Sequence, residues 1–238
     1  EAAEEYYKRA LAAEPENAAN LGSYAIFLKQ VRKDHEAAEE YYKRALAAEP
    51  ENANNLGSYA NFLTITRKDH EAAEEYYQRA LAAGSDNVDV LGFYANFLWQ
   101  VHKDDEAAEE YFKRALAADP TDFNATANYT NFLLLAKGRE EGLVQLGALL
   151  RRPEARESSE PALEAWFYAW VHENDEVRPR ALSMLKDLLV DGVRSRDWNL
   201  SGHVHVAGER GWTEKLIAVI NDDAPLSSLA GWSDWNDA

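Results

Sequence analysis

Residues 36 to 70 read EAAEEYYKRALAAEPENANNLGSYANFLTITRKDH, and the chain restates this stretch before and after it with few changes. Copies open at residues 1, 36, 71 and 106, so the period is 35 residues and the alignment of copies needs no gaps. A fixed period of this length constrains the fold more than composition does. Each unit is too short to bury its own apolar face, so neighbouring copies must close it.

Two helices are written into each unit. In EAAEEYYKRALAAE, Ala38, Tyr42, Ala45 and Leu46 fall on one side at helical spacing, with Glu39, Glu40, Lys43 and Arg44 mostly on the other. In NNLGSYANFL, Leu56, Tyr59, Ala60 and Leu63 repeat the pattern. Pro50 separates the two, because it lacks an amide donor and disfavours helix in the residue before it. Pro15 and Pro120 recur at that place, and Ser85 stands in once. Small residues at Ala38, Ala45, Gly57 and Ala60 allow close approach of helix axes, and Tyr42, Tyr59 and Phe62 fill the remaining space. The spacing predicts helices over 1–14, 17–32, 36–49, 52–67, 71–83, 87–102 and 106–118, paired antiparallel. Lys8-Arg9, Lys43-Arg44 and Lys113-Arg114 each follow a Glu-Glu pair by about one turn, which reads as a solvated, mildly stabilised face.

The order of Leu56, Tyr59, Ala60 and Leu63, then the Ala, Tyr, Ala and Pro positions of the next helix, resembles the tetratricopeptide repeat over residues 1–153. That family's unit has 34 residues, and the extra one here is expected in the Arg-Lys-Asp turn between helices. Leu21, Leu56 and Leu91 replace the customary tryptophan of the first helix. The resemblance implies an all-α, right-handed α-solenoid of antiparallel helix pairs. It also implies a non-catalytic protein-interaction scaffold without cofactors, whose first helices line a concave groove.

On those first helices, the residue after the Tyr-Ala pair is Ile26, Asn61, Asn96 and Asn131 in successive copies. A row of carboxamides can pair with the backbone of an extended peptide, and peptide-binding members of the family use groove asparagines in a similar way. The competing reading is hydrogen bonding between neighbouring helices. Lys29, Thr64, Trp99 and Leu134 vary one turn on, and Ser23, Ser58, Phe93 and Asn128 vary one turn before. Phe93 and Trp99 are the candidate aromatic anchors, and Ser58 and Asn128 complete the candidate site; packing against the cap is the alternative for both aromatics. The family's clamp for a terminal carboxylate needs basic groove residues, but Gly22, Gly57 and Gly92 stand where one is wanted.

After Pro120 the copying weakens: Thr126 replaces the leucine and Ala127 the glycine, and a helix near 139–151 keeps amphipathic spacing without the YYKRAL residues. Pro153 ends the repeats, and residues 154–238 read as a divergent, tryptophan-rich helical cap. There, PALEAWFYAWVHEN is an aromatic helix that should be buried, and VRPRALSMLKDLLVDG is its amphipathic partner, with Pro179 early and Gly192 at the end. Two shorter helices are expected near 200–209 and 212–222.

A net charge of −17 opposes binding to nucleic acid or anionic lipid. The chain has no cysteine, which excludes disulfides and thiol chemistry and fits a cytoplasmic protein. No stretch approaches the roughly 20 apolar residues of a bilayer span, so a soluble protein is expected. Residue 1 opens inside a second helix without an initiator methionine, so the chain reads as a fragment of something longer. The apolar side of Tyr7, Ala10 and Leu11 would then be open to self-association. His203 and His205, with Asp197 or Glu209, could in principle ligate zinc, but residues two apart on a helix face about 200° away from each other, so no metal is expected. A module that binds an extended peptide or a helix of a partner protein in its concave groove is the leading functional expectation. An assembly scaffold contacting through its ends and cap is the alternative.

Overall fold

The computed structural model describes residues 2–84, 86–195, 200–206 and 210–238. Ser85, Asp197 and Glu209 lie outside these described residues. Among the described residues every regular element is helical. The chain divides into two compact units, Glu1–Pro120 and Thr121–Ala238. Packing therefore divides the chain within the fourth copy, ahead of the sequence repeat's own end near 153.

The N-terminal unit contains α1 (Ala2–Ala13), α2 (Ala18–Phe27), α3 (His35–Ala48), α4 (Ala53–Phe62), α5 (His70–Ala83), α6 (Val88–Phe97) and α7 (Asp105–Ala118). Each first helix packs on the second helix that follows it: α2 on α3, α4 on α5 and α6 on α7. Both kinds of helix start at a side-chain cap. Asn17, Asn52 and Asn87 accept from the amides of Asn20, Asn55 and Val90, and Asp34, Asp69 and Asp104 accept from those of Ala37, Ala72 and Ala107. Between the helices, Ala38, Ala45, Ala73, Ala80 and Ala108 are completely buried, and Tyr42, Tyr77 and Phe112 fill the space beside them.

The thirty-fifth residue is not held by the connecting turn alone. Each first helix widens into a π turn at its end, over Leu28–Arg32, Leu63–Arg67 and Leu98–His102, and a π turn holds one more residue than an α turn. Lys33, Lys68 and Lys103 then reverse the chain in the left-handed region, at φ of 56°, 58° and 59°. The arginines at this repeat position, Arg79 following a glutamine and Arg44 and Arg114 a lysine, also pack on rings. Lys43 does pair with Glu39, at 2.6 Å, and Lys113 with Glu109, at 2.6 Å. Arg44, Arg79 and Arg114 instead lie over the rings of Tyr41, Tyr76 and Tyr111, at 4.8, 5.2 and 4.8 Å. Arg44 and Arg79 also donate to the carbonyls of Pro15 and Pro50 in the preceding turn.

The C-terminal unit holds α8 (Phe123–Phe132), α9 (Arg139–Leu149), α10 (Glu160–His172), α11 (Arg178–Val190), α12 (Arg210–Ile220) and the short α13 (Ser233–Asp237). In the fourth copy Gly138 alone occupies the connection made by two residues, Lys103-Asp104, in the third, so α9 runs one residue out of the 35-residue register. That shift puts Leu146 and Leu149 at the buried positions. α10 is the central element, packed on α8, α9 and α11, and every residue from Ala162 to His172 is buried. Trp166, Phe167, Trp170, Leu182, Leu185, Leu216, Trp232 and Trp235 belong to one continuous core. Residues 200–203 form a 3₁₀ turn rather than the first turn of an α-helix, and residues 207–209 are outside the described set.

Candidate partner-binding face

The face of interest comes from helix geometry in the N-terminal unit. Leu21, Leu56 and Leu91 point inward and are at most 1% exposed. The helix surface turned away from them carries Ser23, Ile26 and Gln30 on α2 and its π turn. On α4 it carries Ser58, Asn61 and Ile65, and on α6 it carries Phe93, Asn96 and Gln100. All nine are half-buried or exposed and none is charged. In a chain of net charge −17 these nine positions carry no charge; on the same side of α6 the exposed carboxylate of Asp89 lies one turn before Phe93.

Adjacent first helices are locked at close range. A Cβ on Gly22 would lie 2.0 Å from Asn55 Oδ1, and one on Gly57 would lie 2.8 Å from Val90 Cγ2. Only glycine permits the approach. Asn55, itself buried, donates from Nδ2 to the Ala18 carbonyl at 3.0 Å, satisfying an amide that sequence reading passed over. Neighbouring copies are further joined by edge-on tyrosine pairs, Tyr24 with Tyr41, Tyr59 with Tyr76 and Tyr94 with Tyr111, with ring centres 4.7 to 4.8 Å apart. On the opposite side Glu39 accepts from Lys43 and from Arg67 Nε, each at 2.6 Å. Partial burial draws the Glu39 carboxyl upward, but the bonds from Lys43 and Arg67 outweigh it and hold it below the ordinary range. Burial pushes the Tyr59 phenol up, and the Glu39 carboxylate beside it adds to the shift.

The candidate residues separate into two groups. Ser58, Asn61, Phe93, Asn96 and Trp99 belong to the N-terminal unit and are all half-buried. Thr64, at the position equivalent to Trp99, donates to the Ala60 carbonyl, and Lys29, the equivalent in the first copy, is only 6% exposed. That position thus lies toward the helix interface more than the open face. Asn128 and Asn131 do not belong with the others: they are 7% and 2% exposed, inside the C-terminal unit. Asn131 Oδ1 lies 2.9 Å from His203 Nε2, so its carboxamide is committed to a buried imidazole. The partner of Asn131 is therefore internal, but it lies in the 3₁₀ turn at Leu200–His203 and not on a neighbouring helix of the repeat.

A buried polar row on α10 escaped sequence reading. Glu164, Tyr168 and His172 are four residues apart, hence on one side of the helix, and each is at most 1% exposed. Glu164 Oε1 accepts from the Ser195 hydroxyl, and His172 Nε2 meets His203 Nδ1 at 2.7 Å. Burial pushes the Tyr168 phenol well up, with the Glu164 carboxylate second. Burial, then the neighbouring His172, lowers His203 to about 3. The i, i+4, i+8 spacing of polar residues inside an aromatic helix was the available signal. His203 is buried and His205 exposed, on a 3₁₀ turn and the turn after it where an α-helix was expected; among the described residues no group of His, Cys, Asp and Glu is arranged to hold a metal.

Antiparallel helix pairs repeated in register, with the first helices stacked on one another, define a tetratricopeptide-type α-helical repeat protein. The family of the PRP39 N-terminal HAT repeat matches residues 1–152, and the chain belongs to that family. Among solved structures it is similar to PilW, a widely conserved type IV pilus biogenesis factor, at 16% identity and a TM-score of 0.60 over 92% of this chain and 97% of that one. It is similar also to PilF of Pseudomonas aeruginosa, at 20% identity and 0.57 over 94% and 96%. A third likeness is YrrB, a tetratricopeptide protein with an unusual peptide-binding site, at 21% identity and 0.47 over 84% and 96%. No curated protein matches the chain. Such repeats are protein-interaction modules and typically non-catalytic. Among the described residues no helix is long and apolar enough to cross a membrane.

Proposed function

We propose that this chain binds an extended segment of a partner protein along the open face of its first helices. In this reading Asn61 and Asn96 bond the segment's backbone, Ser58 adds a hydroxyl, and Phe93 anchors an apolar side chain, with the half-buried edge of Trp99 bordering it from the interface side. The observation that carries it is the uncharged, half-exposed row on α2, α4 and α6, in a chain whose carboxylates crowd its second helices. Backbone-directed amides suit a ligand read by its shape more than by its side chains. Nucleic acid is a poor ligand for so acidic a chain, and a cytoplasmic site of action fits the absence of cysteine.

The test is a displayed peptide-library selection against the native chain and, in parallel, against the Asn61→Ala, Asn96→Ala variant, after both show the same helicity and melting. Enrichment on the native chain alone is expected. Equal enrichment on both would remove the asparagines from the proposal, and no enrichment on either would remove the peptide.

A second reading has one observation behind it. Tyr42, Tyr77 and Ala45 are at most 1% exposed under a covering first helix, whereas Tyr7 and Ala10, at the same positions in α1, remain partly exposed and Tyr6 is 71% exposed. A second copy of this chain, whose own helices cover those positions elsewhere, would fit there. Sedimentation of a strict monomer at high concentration would dismiss this reading, and Tyr7→Glu should abolish any dimer found.

A further inference from the structure

We propose that the facing imidazoles His172 and His203 act as an acid-sensitive latch, whose protonation opens the C-terminal unit around α10 while the helix pairs α2 to α7 remain folded. The geometry supplies the reason. His172 Nε2 and His203 Nδ1 are 2.7 Å apart, so one hydrogen lies between them and one of the two nitrogens must be bare. On its other side His203 Nε2 lies 2.9 Å from Asn131 Oδ1; with the oxygen facing it, that nitrogen carries the proton and donates. His203 Nδ1 is then the bare nitrogen, and His172 Nε2–H donates to it.

The neutral pair is a complete hydrogen-bond chain from α10 through the 3₁₀ turn at Leu200–His203 to α8. Protonating His203 Nδ1 sets two N–H groups against each other unless His172 shifts its own proton. Protonating both rings places two cations with centres 4.9 Å apart.

Among the described residues no anion faces His203. The groups against it are Asn131 of α8 and Phe167, Tyr168 and His172 of α10, with the Phe167 and Tyr168 ring centres at 5.7 and 5.0 Å. Glu164, two turns before His172 on α10, accepts from Ser195. Both histidines are sealed, at 1% and 0% exposure. Burial together with His172 holds His203 near 3, against about 6.5 in an unfolded chain. Across that window the unfolded state binds a proton that the folded state refuses, so stability is full above about pH 6.5 and falls as pH drops toward 3.

The histidines of the N-terminal unit have no such setting. His70 and His102 are exposed, His35 is half-exposed, and His102 lies 3.5 Å from the Glu74 carboxylate. Acid in the mild range therefore acts on the two units differently.

Six of the seven tryptophans lie at or after Trp166, and the other is Trp99, so a full-length Trp99→Phe chain reports the C-terminal unit through tryptophan emission alone. Urea unfolding followed by that emission should show the opening constant rising about twenty-fold from pH 7 to pH 5. Hydrogen exchange corrected for intrinsic rates should show α10 losing protection over this range while α5 keeps it. His203→Phe should flatten the pH dependence if it folds. The exchange measurement on the native sequence decides the matter without it. An opening constant unchanged between pH 7 and pH 5, or α5 and α10 losing protection together, overturns the proposal.

Discussion

The two compact units solve the same packing problem by different means. In the N-terminal unit the same few contacts recur: an alanine-lined interface, an edge-on tyrosine pair, an arginine over a tyrosine, an asparagine or aspartate cap. Stability there is a sum of similar local terms, as expected of a repeat array. In the C-terminal unit one aromatic core surrounds α10, and the sealed Glu164, His172 and His203 beside it have no counterpart among the described residues of the N-terminal unit. Repetition spreads load over many weak contacts and leaves one side of its first helices half-exposed. A single core concentrates load, and a defect at its centre affects the whole unit.

The largest effect that would test this contrast is a deletion of aromatic volume. Phe167→Ala empties a site of 0% exposure in α10 and should cost about 3 to 5 kcal/mol, seen as an earlier urea midpoint by tryptophan emission. Phe97→Ala, at 1% exposure in α6, should cost a similar amount locally. It should leave the emission midpoint of the C-terminal unit unmoved, and equal effects of the two changes on that midpoint would erase the distinction between units.

Next in size is the pair of asparagines at one repeat position. Asn131→Leu leaves the buried His203 nitrogen without its acceptor and should cost about 1 to 3 kcal/mol in thermal or urea unfolding. Asn61→Ala, on the open face, should stay within about 0.5 kcal/mol. The glycines give a comparison of opposite signs within one unit. Gly57→Ala forces its new methyl against the stiff Val90 side chain 2.8 Å away and should lower the melting temperature. Gly92→Ala meets nothing within 4 Å and should raise stability by about 0.5 to 1 kcal/mol through helix propensity. The smallest effect belongs to the surface: Lys43→Ala removes an exposed i,i+4 pair with Glu39 and should cost about 0.3 to 0.5 kcal/mol, less at high salt.

Much of this was legible from spacing. Leu56, Tyr59 and Ala60, with Ala38, Tyr42 and Ala45, are buried as their three-and-four pattern requires, because a helical period reports which side faces the core. Legibility failed where one residue could serve two partners. Arg44 carries the same sequence signature as Lys43, yet its planar guanidinium stacks on Tyr41 and reaches the Pro15 carbonyl of the turn before it. Of the candidate site, Asn61 and Asn96 lie where helix geometry puts them, while Asn131 occupies the same repeat position and is sealed by a histidine 72 residues further along the chain.

The sequence by itself determined the helix pairs, their order and their buried faces, since 35-residue copies carry their caps, breakers and periodicity locally. Only the tertiary structure decided how the extra residue is absorbed, which asparagines are half-exposed and which sealed, and that His172 meets His203. Those outcomes depend on contacts between residues distant in sequence, where the free energy of burying a polar group turns on which partner the fold brings within about 3 Å.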